Sequence, residues 1–93
     1  MKDEFVNRGK PLTSAQLRAA RALLRWSAED LARYSALGVT TIRRAELTES
    51  ETSLTAVNDQ ALRRALESAG VEFIDENGGG PGVRLRKRQR KKT

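Results

Sequence analysis

In LTSAQLRAARALLRW the apolar residues recur every three or four positions, so that Leu17, Ala20, Leu24 and, less cleanly, Leu23 line one face of a helix. Its start is marked by Thr13 as N-cap with Gln16 three residues on, the spacing of a capping box, and Leu12 and Leu17 sit as a hydrophobic staple. The device repeats at once. Ser27 with Asp30, and Trp26 with Leu31, open a second helix through Leu31, Ala32 and Tyr34, which Leu37 and Gly38 interrupt. Gly38 is then a tolerable N-cap and Leu37 with Ile42 a third staple, which predicts a third helix over residues 39–47. Three short helices joined by short turns give a helix-turn-helix outline.

Residues 48–53, TESETS, read as a polar connector. From about Leu54 onward Val57, Ala61, Leu62, Ala65, Leu66 and Ala69 fall at helical spacing as far as Gly70, a good residue to follow a helix end. This fourth helix is the longest expected. The period then changes from that of a helix to that of a strand: VEFI (71–74) and VRLR (83–86) alternate around the turn-rich DENGGGPG, which predicts a hairpin. The glycine run has neither a following helix nor the Lys-Ser/Thr pair of a phosphate-binding loop. An isolated hairpin is marginal in water, so Val71, Phe73, Val83 and Leu85 are expected either to pack on the fourth helix or to form a dimerisation surface with another chain. The expected fold is mainly α, a four- to five-helix bundle containing a helix-turn-helix, with a C-terminal β-hairpin. Residues 1–11 form a flexible arm, 12–70 the helical domain, 71–86 the hairpin and 87–93 a basic disordered tail.

A chain of 93 residues has room for one domain with a modest core. The formal net charge is +6, and its distribution matters more than its size. Residues 1–82 carry 11 basic and 12 acidic side chains, a net of −1, whereas residues 83–93 add seven basic groups and no acid. A nucleic-acid surface on the folded part must therefore rest on local placement of arginines rather than on the overall field. Histidine and cysteine are absent, which removes the commonest acid–base, nucleophilic and zinc-ligating side chains. Glu29 with Asp30, and Glu49 with Glu51, are better read as cap, helix-dipole and solubility charges than as an acid–base pair. No enzymatic activity, cofactor or metal is expected. No apolar run reaches the eighteen or so residues of a membrane span, and the N-terminus lacks an apolar signal core, so a cytoplasmic protein with no membrane association is expected.

Rotating the third helix at ~100° per residue places Ile42 and Ala45 on one side, flanked by Thr41 and Glu46. Val39, Thr40, Arg43 and Arg44 share an arc of ~140° on the other. An arginine pair on a helix is also what a merely solvated face looks like. The same arc suits DNA: arginines can fork onto guanine, a threonine hydroxyl can hydrogen-bond, and a valine can meet a thymine methyl.

Over residues 13–46 the chain resembles the Cro/C1-type helix-turn-helix family, also called the xenobiotic-response-element family, of bacterial and phage regulators. The resemblance rests on Leu31 and Ala32 in the second helix, Leu37 after the turn, and Ile42 with Ala45 facing inward from the third. It implies that Val39, Thr40, Arg43 and Arg44 approach base edges in the major groove, while Ser27 and Ala28, with Thr41, sit against phosphate. It also implies an ion pair between Arg21 and Glu46, and a left-handed backbone at Ala36, where the family usually has glycine. The ending VEFIDENGGGPGVRLRK departs from the family's usual final helix. The function implied is a sequence-specific transcriptional regulator, repressor-like and nucleoid-associated, that binds double-stranded DNA as a homodimer. Arg86, Lys87 and Arg88 open a basic run expected to add phosphate contacts. Two other readings are a protein-interaction module, antitoxin-like or coactivator-like, with a protein partner and secondary DNA binding, and RNA binding through the tail. The chain's four aromatics are few for the latter.

Overall fold

The computed structural model describes residues 10–87, which form four helices and a two-stranded antiparallel hairpin: α1 (Ser14–Leu24), α2 (Ala28–Ser35), α3 (Val39–Ala45), α4 (Ala56–Ser68), β1 (Val71–Ile74) and β2 (Gly82–Leu85). Residues 1–9 and 88–93, with most of the expected arm and tail, lie outside the described residues. Among the described residues no helix is long and apolar enough to cross a membrane.

Both capping boxes form. The Gln16 amide N–H donates to Thr13 Oγ1 at 3.0 Å and the Thr13 N–H to Gln16 Oε1 at 3.0 Å. Ser27 and Asp30 exchange the equivalent bonds at 2.9 Å each. These bonds satisfy amide groups that a helix start otherwise leaves without partners. Of the staple residues, Leu12, Leu17, Leu31 and Ile42 are fully buried and meet Leu62 and Leu66 of α4 in one core.

The turn between α2 and α3 passes through Ala36 at φ 63°, ψ 25°, the left-handed conformation expected there. A side chain in that region costs roughly 1–2 kcal/mol, part of which glycine would lose again to its freer unfolded chain. Ala36→Gly is therefore expected to stabilise the protein by about 0.5–1 kcal/mol, read as a higher urea midpoint at constant slope. A lower midpoint would show that Ala36 sits there without strain.

Several boundaries and faces differ from the sequence expectation. The third helix ends at Ala45, and Leu47 is 81% exposed. The fourth begins at Ala56 behind the N-cap Thr55 and ends at Ser68, with Gly70 at φ 111°. Its buried stripe is Asp59, Leu62, Arg63 and Leu66, while Val57 is 75% exposed and Ala69 also faces solvent. The cause is the segment leading into α1. Asp59 Oδ1 accepts the Leu12 N–H at 3.2 Å, and Arg63 donates to the Lys10 carbonyl, lies 3.6 Å from Asp59 and stands over the Phe73 ring. Residues 48–53, the polar connector, are tied to the start of α1 by hydrogen bonds. The Ser14 N–H donates to Ser50 O at 2.8 Å, Ser14 Oγ to Thr48 O at 2.6 Å, and the Thr52 N–H to Leu12 O at 3.2 Å.

The hairpin pairs Val71 with Leu85 and Phe73 with Val83, so these four share one face. That face packs on the chain's own helices. Val71 is buried, and Phe73 and Val83 lie against the core. Gln16 fastens the other end, donating from Nε2 to Gly82 O at 3.1 Å and Ile74 O at 3.4 Å. The second strand runs one residue earlier than expected, since Gly82 pairs with Ile74 at its start, and the Arg86 N–H still bonds Gly70 O at 2.7 Å beyond its end.

Candidate nucleic-acid interface

α3 is held from behind by apolar contact and presents polar groups in front. Ile42 and Ala45 are buried, whereas Thr40, Arg43 and Arg44 are exposed. Val39 and Thr41 are half-buried, and Val39 packs partly on the core. The structure thus brings Thr40, Arg43 and Arg44 onto one outward face and leaves Val39 at its margin.

The C-terminal end of α3 is tied to α1 by the expected pair. Arg21 Nε donates to Glu46 Oε2 at 2.7 Å and Nη2 to Oε1 at 2.8 Å, a bidentate contact, while Nη1 donates to Trp26 O at 2.9 Å. Glu46 is 7% exposed, so its carboxylate depends on this arginine. The hydrogen bonds to Glu46 raise the Arg21 pKa above its usual value against the opposing effect of burial, and the charges of Glu46 and Glu29 add to the rise. The geometry is a brace: it sets the tilt of α3 against α1.

Ser27 is exposed at the start of α2, but Ala28 is buried, so its side chain belongs to the core and only its backbone amide remains for a phosphate. Asp30 is held below the usual carboxylate range, chiefly by the hydrogen bond from the Ser27 backbone N–H, and also bonds Arg33 at 2.8 Å. Trp26 lies partly against the core and stacks on Tyr34 with ring centroids 4.5 Å apart, which matches a staple residue better than an open base-stacking platform.

Two further features arise where separate elements meet. Glu29, read from the sequence as a helix-start charge, forms a close ion pair with Arg43 Nη2 across the motif. Its partner is 14 residues away on another helix, a separation with no local pattern. The second is a hollow of about 310 Å³ between α3 and the start of α4, walled by Thr41 and Arg44 on one side and by Thr48, Thr52, Thr55 and Asn58 on the other. Hydroxyls and an arginine are suitable donors for a phosphate oxygen. The hydroxyl density of residues 48–55 was visible in the sequence, but its placement beside Arg44 was not.

Other expected residues fall elsewhere. Arg86 donates from Nη2 to the Glu67 carbonyl at 2.8 Å, so it serves the last turn of α4, and its remaining donors face solvent. Lys87 is exposed at the end of the described residues, and Arg88 lies outside them. Of the four hairpin residues expected to mediate dimerisation, Val71, Phe73 and Val83 are taken up by the chain's own core. Leu85 stays 45% exposed, in a groove it shares with Leu23.

No protein-family model and no curated protein matches this chain.

Proposed function

We propose that the chain is a sequence-specific double-stranded DNA-binding transcriptional regulator of the Cro/C1 helix-turn-helix kind, repressor-like and cytoplasmic, that reads the major groove with α3. The observation that carries the reading is the outward face of α3. Thr40, Arg43 and Arg44 are exposed together on a helix whose back is buried and whose end is braced by Arg21 and Glu46. Base reading needs this combination, because a bidentate arginine discriminates only when the helix carrying it is held in place. Thr41, Ser27 and the hollow beside Arg44 supply phosphate donors around that face. Homodimerisation on two half-sites belongs to the same reading, with Leu85 and Leu23 as its exposed apolar residues.

Selection from a pool of random duplexes tests the proposal, with enrichment of one sequence as the expected result. Arg43→Ala is then expected to weaken binding to the selected duplex by about 1–3 kcal/mol and to relax preference at one base position. Equal losses on selected and scrambled duplexes would reduce Arg43 to a phosphate clamp. A pool that enriches nothing would overturn the reading in favour of a protein-interaction module.

A further inference from the structure

Glu29 and Arg43 are both exposed, with side chains 61% and 54% accessible, yet they are paired across the turn that joins α2 to α3. Stability does not account for the contact, since exposed ion pairs contribute little. The helix start does not need it either, because Ser27 and Asp30 already complete the capping box. Nor is it a general feature of this face. Among the described residues Arg44, next in sequence and also exposed, has no carboxylate partner. A carboxylate placed there faces whatever the outer side of α3 meets, and against DNA that includes phosphate, which repels it.

Resting on the DNA-binding reading above, we propose that Glu29 is a specificity-determining positioning residue, which holds the Arg43 guanidinium so that it is presented to a base edge and withheld from phosphate. The chemistry follows from the donor count. A guanidinium carries five N–H donors in a planar fork, and the contact with Glu29 engages Nη2. Enough donors remain to bond guanine O6 and N7 together while Glu29 fixes the plane of the fork. The same donors fit two phosphate oxygens, but guanine is neutral whereas phosphate is an anion, which the Glu29 carboxylate on the shared guanidinium repels. To clamp a phosphate, Arg43 must leave Glu29, which then stands unpaired beside the polyanion. On non-cognate DNA, Arg43 therefore stays with Glu29 and displaces no counterion.

The test is Glu29→Gln in the full-length chain, titrated against the selected duplex and a scrambled duplex at several salt concentrations, with helicity checked by circular dichroism. Freed from Glu29, Arg43 is expected to gain one phosphate contact on scrambled DNA. That makes the salt slope of log K steeper by about one unit and binding about tenfold tighter near about 0.1 M salt. Binding to the selected duplex gains less, so discrimination falls by up to about tenfold. In an Arg43→Ala background, Glu29→Gln is expected to leave discrimination unchanged. If Glu29→Gln leaves the ratio intact, or lowers it equally without Arg43, the proposal is overturned and Glu29 is only a surface charge. Failure of the DNA-binding reading is separate, because there the parent protein selects no duplex at all.

Discussion

Arg63→Ala is expected to lower the unfolding free energy by about 3–5 kcal/mol, the cost of breaking a buried ion pair by removing one partner. The side chains of Arg63 and Asp59 are only 8% and 12% exposed and lie on consecutive turns of α4. Without Arg63 the Asp59 carboxylate stays buried with the Leu12 N–H as its remaining donor among the described residues, and the Lys10 carbonyl loses the guanidinium that bonds it. The Phe73 ring also loses its cation, which loosens the seat of the hairpin on α4. For a chain of 93 residues total stability is about 5–14 kcal/mol, so the loss is a large fraction of the whole. Urea denaturation followed by circular dichroism measures it. The double variant Asp59→Leu with Arg63→Met is expected to recover part of the loss, since it leaves no unpaired charge in the interior. A change below about 1 kcal/mol for Arg63→Ala would mean that water reaches the pair and that the site behaves as surface.

The second large effect concerns the basic end of the chain. Residues 1–82 carry a net charge of −1, so in the proposed DNA-binding role long-range attraction to DNA depends on the basic groups that follow. Arg86 is bonded to the last turn of α4, and a truncation that spares the fold therefore starts at Arg88, removing Arg88, Arg90, Lys91 and Lys92. Each phosphate neutralised contributes ~0.9 to the slope of log K against log salt, so deletion of residues 88–93 is expected to flatten the slope by up to about 3.5 units. A roughly fourfold rise in salt then costs the full-length protein about a hundredfold more affinity than the truncated one. On the proposed reading base discrimination belongs to Thr40, Arg43 and Arg44, which the deletion leaves in place. Selected and scrambled duplexes are thus expected to lose affinity alike. Titration of both proteins at three salt concentrations decides the matter. An unchanged slope makes the run a solubility device, and a collapsed ratio of specific to non-specific binding makes it a sequence reader, as an arm in the minor groove would be.

The elements whose causes are local could be read along the chain. Thr13 with Gln16, and Ser27 with Asp30, reveal helix starts because a cap and its partner lie within one turn of each other. Ile42 and Ala45 reveal the inner side of α3 because helical geometry alone sets which residues share a face. The hairpin is legible for the same reason, its two alternating runs being separated only by turn residues. Contacts between residues far apart in the chain had no such local cause and were set by packing. The face of α4 is the plainest case: alanines at helical spacing suit more than one rotation, and the one adopted is chosen by the amide of Leu12 and the carbonyl of Lys10, which need Asp59 and Arg63 as partners. Gln16 shows both regimes in one side chain, since its oxygen completes a local cap while its nitrogen holds carbonyls of Ile74 and Gly82. Arg86 and Glu29 likewise took their partners, Glu67 and Arg43, from other elements. A charged side chain long enough to reach several neighbours carries no periodic signal of which one it will meet, and packing brings only one of them within hydrogen-bonding distance.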